Sequence, residues 1–239
     1  MKLLSIVIPT YNEAETLPQV IKEVMTAPAF NLKKEIIIID DGSTDDTSRV
    51  VKLLQKTYTQ KLIFIFHNQN IGKGAAVKDG LLKSTGDVVL IQDADLEYTP
   101  RDYERLIGPI VQDKADIVYG SRFQGAGEHR VLYFWHTVVN NCLTLLSNIF
   151  TNLNLTDMEC GFKAFRGSTV RNLAPALRAQ RFGFEPEITA LCAKNKHNRF
   201  FEVGISYFGR TYSEGKHIRW YDGLKAVIEI IRFNVFSSQ

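Results

Sequence analysis

Cysteine is scarce and scattered: Cys142, Cys160 and Cys192 are the three in 239 residues, and no two of them fall at a metal-ligand spacing. Neither a zinc site nor a disulfide framework is indicated, and a reducing compartment is expected. Long apolar runs are missing too. No uncharged stretch approaches the ~18–20 residues that a bilayer-spanning helix needs, so the chain is not expected to cross a membrane by itself. The N-terminal run Met1–Pro9 is too short for a signal sequence and lacks a small-residue cleavage site, which leaves it as a first strand. Without such a signal, the sequon Asn154-Leu155-Thr156 reads as accidental. Strong net charge is also lacking, since 29 Lys+Arg stand against 26 Asp+Glu. That balance argues against a nucleic-acid partner. No Gly-x-Gly-x-x-Gly follows the first strand, which disfavours a dinucleotide-binding domain. Asn70-Ile71-Gly72-Lys73-Gly74-Ala75-Ala76 lacks the upstream glycine and the Ser/Thr after lysine of a Walker phosphate loop. Its glycines read instead as a helix entry where backbone can approach a ligand.

The chain is long enough for one large core, and residues 1–239 are expected to form one domain. Its two halves differ in charge. Residues 1–120 carry 14 Lys+Arg against 17 Asp+Glu, and residues 121–239 carry 15 against 9. A carboxylate-rich half suits a divalent cation, and a basic half suits phosphate groups.

Short β-rich runs alternate with helical patterns through the first half: Leu3–Ile8, then Glu13–Thr26; Glu35–Ile39, then Thr44–Gln55; Leu62–Phe66, then Gly74–Lys83; Val88–Gln92. The alternation predicts right-handed βαβ units and an α/β fold, a mostly parallel, Rossmann-like central sheet covered by helices on both faces. Ligands of such sheets sit beyond the carboxyl ends of the strands.

Those strand ends are polar: Pro9-Thr10-Tyr11-Asn12-Glu13, Asp40-Asp41-Gly42-Ser43, His67-Asn68-Gln69-Asn70 and Asp93-Ala94-Asp95-Leu96-Glu97. Ser43 and Thr44 read as helix caps. Asp40 and Asp41 are adjacent carboxylates whose repulsion requires donors such as ribose hydroxyls or base N–H groups. Asp93 and Asp95, with Glu97 two residues on, offer hard oxygen ligands for Mn²⁺ or Mg²⁺, which would neutralise a diphosphate leaving group. An isolated Asp-x-Asp is common. What raises this one is its place after the strand signal Asp87–Gln92, on the rim where the other polar ends converge.

Together with Gly120-Ser121-Arg122, these motifs resemble the family 2 glycosyltransferases of GT-A fold. Asp157-Met158-Glu159-Cys160-Gly161-Phe162-Lys163-Ala164-Phe165-Arg166 and Gly209-Arg210-Thr211-Tyr212-Ser213-Glu214-Gly215-Lys216 are similar to the polyprenyl-phosphate branch, which includes dolichyl-phosphate mannose synthase. The resemblance covers nearly the whole chain. It implies an inverting transfer of a hexose from a nucleotide-diphosphate sugar, such as GDP-mannose or UDP-glucose, to a dolichyl or undecaprenyl phosphate. Residues 1–120 would hold nucleotide-sugar and metal, and residues 121–239 the acceptor.

On this resemblance Pro9, Tyr11, Glu13 and Asp40 or Asp41 hold the nucleoside, with Gly72, Lys73 and Gly74 at the cofactor-binding loop. Asp93, Asp95 and Glu97 organise the metal, and Arg122, Arg210 and Lys216 bind phosphate oxygens. A phosphate monoester acceptor is already largely ionised at neutral pH, so a general base is optional. Asp157 is the carboxylate that would serve as one, or else it orients a neighbouring Arg or Lys.

A polyprenol acceptor also requires contact with a bilayer. Apolar stripes in Val131–Thr151, with Leu132, Phe134 and Trp135, and in Ile218–Phe236, with Trp220, Leu224 and Ile228, either lie in the membrane interface or pack on the sheet. Many relatives continue into transmembrane helices at this point. A chain stopping at Gln239 is expected to be a peripheral enzyme at the cytoplasmic face, or one shortened before its anchor, and a membrane-anchored partner subunit is compatible with either. Two other readings compete: a family 2 enzyme acting on a saccharide or protein hydroxyl, and a non-catalytic sugar-nucleotide binder. A nucleotidyltransferase is weaker still.

Overall fold

The computed structural model describes residues 1–58, 62–125, 130–131, 133–181, 183–211 and 220–236. Seven strands form one sheet: β1 (Leu3–Thr10), β2 (Lys33–Asp40), β3 (Leu62–Phe66), β4 (Val88–Ile91), β5 (Ile117–Ser121), β6 (Lys163–Arg166) and β7 (Phe200–Gly204). Their spatial order is β3-β2-β1-β4-β6-β5-β7. All pairings are parallel except those of β6, which runs antiparallel to both β4 and β5.

Helices cover both faces, because interior strands such as β2, next to the β3 edge, are apolar on both sides. Ile36 and Ile38 pack in one core with Leu17, Val20 and Ile21 of α1 (Leu17–Thr26), Val51 of α2 (Thr47–Thr57) and Leu106 of α4 (Tyr103–Val111). Ile37 and Ile39 pack in the other. There they meet Val77 and Leu81 of α3 (Lys73–Lys83), Val170 of α6 (Gly167–Leu173) and Ile188 of α7 (Phe184–Lys194). Continuous burial of four isoleucines is what a strand with helices on both faces requires.

The single reversed strand has a positional effect. A chain that enters β6 from the rim where β1, β2 and β4 leave brings the preceding segment, residues 157–162, onto that rim. β7 leaves at the same end. Its continuation doubles back so that Tyr207 bridges Tyr98 and the Phe208 N–H donates to the Glu97 carbonyl at 2.9 Å.

Neither apolar stripe is consumed by the sheet. α5 (Phe134–Thr151) buries only Leu143, Thr144 and Ser147, while Phe134 and Trp135 are 69% and 72% exposed. α8 (Trp220–Ile231) packs against α5 and α7 and buries Ala226 and Ile230, leaving Leu224 and Ile228 outward. No described helix is long and apolar enough to cross a membrane. Leu132, Ile218 and the Trp220 side chain lie outside the described residues.

Candidate functional site

The rim loops are built against one another. Asn12 adopts φ 55°, a left-handed conformation that asparagine tolerates better than most side chains. Its N–H donates to Ser43 Oγ at 3.0 Å, and its Oδ1 accepts from the Thr44 N–H at 2.8 Å. Ser43 and Thr44 are therefore ties between the β1 and β2 loops, not caps: α2 starts later, at Thr47, whose N–H donates to Asp45 Oδ1. Nearby, the Glu13 N–H donates to Thr47 Oγ1 at 3.0 Å. Pro9 is the penultimate residue of β1, and Tyr11 projects into solvent just beyond it.

Asp40 and Asp41 are both buried, and protein donors serve them. Asp40 accepts from the Ser43 N–H at 3.0 Å and from Ser48 Oγ. Asp41 accepts from the N–H groups of Ile71 (3.0 Å) and Gly72 (2.7 Å) and meets His67 Nδ1 at 2.7 Å. The donors that offset the repulsion thus come from the chain itself. His67 is held between Asp41 and Asp79, 2.9 Å away on Nε2. Burial lowers its affinity for a proton, but the hydrogen bonds and charges of the two carboxylates outweigh burial and raise its pKa.

The glycines of the next loop differ from expectation. Gly72 has φ 122°, and a Cβ at Gly72 or Gly74 would run into the backbone of Gln180 or Ala179. What they admit closely is the chain's own loop, whose Gln180 carbonyl accepts from the Ala75 N–H at 3.1 Å. Glu187 holds that loop by accepting from the Arg178 and Ala179 N–H groups, each at 2.8 Å. Lys73 points the other way, into the rim. Its ammonium lies 2.9 Å from Asp93 and 3.3 Å from Glu185. Burial would lower its pKa, yet Asp93 and Glu185 hold it well above the usual lysine range.

Beyond β4, Leu96 adopts φ 61° and turns the chain sharply, so that Asp95 Oδ1 accepts from the Glu97 N–H at 3.1 Å. Asp95 Oδ2 meets Arg210 at 3.2 Å, and the same guanidinium reaches Glu13 at 3.3 Å. Glu97 turns to the continuation of β7. It accepts from the Arg210 N–H at 2.8 Å and the Tyr207 hydroxyl at 3.1 Å. Among the described residues no three His, Cys, Asp or Glu side chains form a metal-holding group, and Glu97 is engaged by Arg210 and Tyr207. Its oxygens are committed to the β7 strap. Arg210 likewise sits with the carboxylates of the first half, and Lys216 lies outside the described residues.

Asp93 and Asp95 nevertheless fit a divalent cation. They are hard oxygen donors at a strand end, and negative charge is in excess there. Burial first, then Asp93 and Glu97, push Asp95 up to about 7 against the pull of Arg210.

The acceptor-half segment forms the opposite wall. Asp157, fully buried, accepts from Arg122 Nε at 2.6 Å, Arg122 Nη2 at 2.7 Å, the Arg122 N–H at 3.0 Å and Asn140 Nδ2 at 3.1 Å. Of the two roles open to Asp157, this geometry matches orientation of an arginine. Arg122 itself stacks 5.3 Å from the Tyr207 ring centroid. Below it, buried Lys163 donates to the carbonyls of Met158 and Cys160 and lies 4.6 Å over the Tyr119 ring, which sets the turn before β6. Burial lowers the Lys163 pKa. Gly161 is required by crowding, since a Cβ there would come within 2.6 Å of Asp93 Oδ2 and 2.9 Å of Lys73 Nζ.

Glu159 and Glu185 belong to the site although sequence reasoning did not single them out. A lone carboxylate without a spaced partner gives no local signal, and only tertiary contact reveals it. A cavity of about 840 Å³ lies behind the Asp95–Glu97 turn, lined by Leu96, Asp102, Arg105, Ser206 and Phe208 among others. None of the rim carboxylates lines it, and Asp102 is occupied by Arg105 and the Ser206 N–H.

The profile of the family described as "Glycosyl transferase family 2" matches residues 5–173. A relative from Methanococcus voltae, a UDP-N-acetylglucosamine–dolichyl-phosphate N-acetylglucosaminyltransferase, is 30% identical over 96% of this chain and 95% of its own. The dolichyl-phosphate β-glucosyltransferase of Dictyostelium discoideum is 33% identical over 80% of this chain, which spans 62% of that protein. Among solved structures, glucosyl-3-phosphoglycerate synthase from Mycobacterium tuberculosis, in complex with Mn²⁺, UDP and glucosyl-3-phosphoglycerate, superposes with a TM-score of 0.72. It shares 18% identity and is matched over 100% of this chain and 82% of its own. The fold in common is GT-A.

Proposed function

Because this chain belongs to glycosyltransferase family 2, we propose that it moves a hexose, with inversion, from a nucleotide-diphosphate sugar to a polyprenyl phosphate. The observation that carries this reading is the charge arrangement at the end of β4. Asp93 and Asp95 stand between two cationic side chains, Lys73 and Arg210, on the rim where all the polar loops meet. The acceptor is supported by the dolichyl-phosphate substrates that the names of two relatives print.

Pro9, Tyr11 and Glu13 would line the nucleoside end, with the buried Asp40–Asp41 pair bracing the loops beneath them. Asp93 and Asp95 would hold Mn²⁺ or Mg²⁺, which supplies countercharge to the departing diphosphate. Lys73 and Arg210 add fixed positive charge beside the same group, and being already placed they need little reorganisation as charge develops. Arg122 is oriented by Asp157, 2.6 Å away, toward the acceptor side. No proton need be removed from a phosphate monoester that is already ionised. Lys216, outside the described residues, is assigned to the acceptor phosphate by the family resemblance alone. The molecule as a whole, residues 1–239, works as one catalytic domain.

The outward apolar faces of α5 and α8 support peripheral contact with the bilayer that holds the acceptor, or with a membrane-anchored partner subunit. Three free cysteines support a cytoplasmic face. The test is incubation with Mn²⁺ and a panel of labelled sugar nucleotides, followed by extraction into organic solvent with and without polyprenyl phosphate. Label entering the organic phase only with the lipid is the expected result. Transfer to a free saccharide hydroxyl with none to the lipid would overturn the acceptor, and no transfer from any donor would overturn the activity.

A further inference from the structure

One carboxyl in the site has no assigned task. Glu159 Oε1 is buried without a hydrogen-bond partner among the described residues. A buried polar oxygen left unpaired costs ~1–3 kcal/mol, so its persistence calls for a partner that arrives on binding. Its place in the chain says where. Two residues on, Gly161 abuts Asp93 and Lys73, and two residues back, Asp157 grips Arg122. The Glu159 carboxyl feels the charges of Glu185, which pairs with Lys73, and of Arg122, which pairs with Asp157, and so it lies near both ion pairs that the proposed function assigns to donor diphosphate and acceptor phosphate. In a direct displacement the group lying between those phosphates is the transferred sugar.

We propose that Glu159 hydrogen-bonds a hydroxyl of the transferred hexose and determines which sugar the enzyme accepts. A phosphate is the poorer match for the missing partner, because the neighbouring carboxylates Glu185 and Asp157 repel it. A sugar hydroxyl is neutral and both donates and accepts. The carboxyl matches it: burial first, then the Glu185 charge, push Glu159 up to about 8 against Lys163 and Arg122, so at neutral pH it keeps a proton to donate. A site whose buried polar group matches one hydroxyl discriminates strongly against sugars that lack it.

This inference rests on the proposed function, and the experiment separates the two. Calorimetric titrations of Glu159→Ala and the isosteric Glu159→Gln would use the sugar nucleotide that the wild type binds, its free nucleoside diphosphate, and monodeoxy analogues of its sugar. Glu159→Ala is expected to weaken the sugar nucleotide at least about tenfold and the nucleoside diphosphate less than about twofold, a loss of ~1.4 kcal/mol confined to the sugar. Glu159→Gln should stay within about threefold of wild type. One deoxy analogue that binds poorly to wild type should bind Glu159→Ala no worse than the parent sugar does. Unchanged affinities in both variants, an equal loss of sugar nucleotide and nucleoside diphosphate, or deoxy penalties identical in wild type and variant would overturn the assignment. Failure of the wild type to bind any sugar nucleotide would instead overturn the glycosyltransferase reading, and this inference with it.

Discussion

Asp157→Asn separates a structural carboxylate from a catalytic base. The wild-type side chain accepts four hydrogen bonds, three from Arg122 and one from Asn140. Asparagine offers one oxygen and turns N–H groups toward the remaining donors, leaving a guanidinium only 19% exposed without its countercharge. Breaking a buried pair in this way costs about 3–5 kcal/mol. For a chain of this size each kcal/mol lowers Tm by about 2–4 °C, so the variant should melt roughly 6–20 °C below wild type. The assay pairs a thermal melt with transfer to polyprenyl phosphate, measured well below the variant's Tm. Because an ionised phosphate needs no base, kcat should stay within about tenfold of wild type. A Tm within about 2 °C of wild type, together with a loss of transfer beyond about 100-fold, would refute this reasoning and make Asp157 the leading base for a hydroxyl acceptor.

Excess EDTA is expected to abolish transfer, and Asp95→Asn should lower kcat at least about 100-fold while Tm holds or rises, since one of three mutually repelling carboxylates is gone; full activity in EDTA would contradict the metal assignment. His67 gains its proton affinity on folding, so the native state binds more protons than the unfolded chain. Its stabilising contribution is complete below the unfolded pKa of ~6.5 and is lost as pH rises through the higher folded value. Denaturant melts should show stability declining above about pH 6.5 in wild type, and a flatter profile in His67→Asn. A Phe134→Ser/Trp135→Ser double variant should lower partitioning onto lipid vesicles at least about tenfold, because each exposed aromatic contributes up to ~1.5–3 kcal/mol when buried; sedimentation with vesicles, equal for variant and wild type, would locate the contact elsewhere.

The first half of the fold was legible because each of its elements carries a local pattern. The isoleucine run of β2, the strand signal before Asp93 and the polar strand ends are each complete within a few consecutive residues. β6 was not legible as an antiparallel insertion. It is four residues long and begins with a lysine, and nothing in Lys163–Arg166 encodes which neighbours it joins. The same limit applies to Arg210, whose basic surroundings suggested an acceptor phosphate. Its three carboxylate neighbours, Glu13, Asp95 and Glu97, become visible only once the β7 strap folds back across the rim. For Gly72 and Gly74, sequence gave the need for close approach but not the identity of what approaches.

The reversed strand also has a consequence for how the molecule folds. β1 to β3 pair through short crossovers, Leu3 with Lys33 and Ile36 with Leu62, and can assemble early, whereas β4 reaches β1 only across the span from Leu4 to Val88. Ile91 in turn finds Lys163 only after the whole of β5 and α5 has been laid down. Contacts so distant along the chain form slowly, because the intervening segment must lose its freedom before the pairing repays it. Asp93 and Gly161 therefore meet late, and a partly folded chain would present the nucleoside loops before the wall holding Asp157 exists. Binding of a nucleoside diphosphate would then be the first function to return on refolding, and transfer the last.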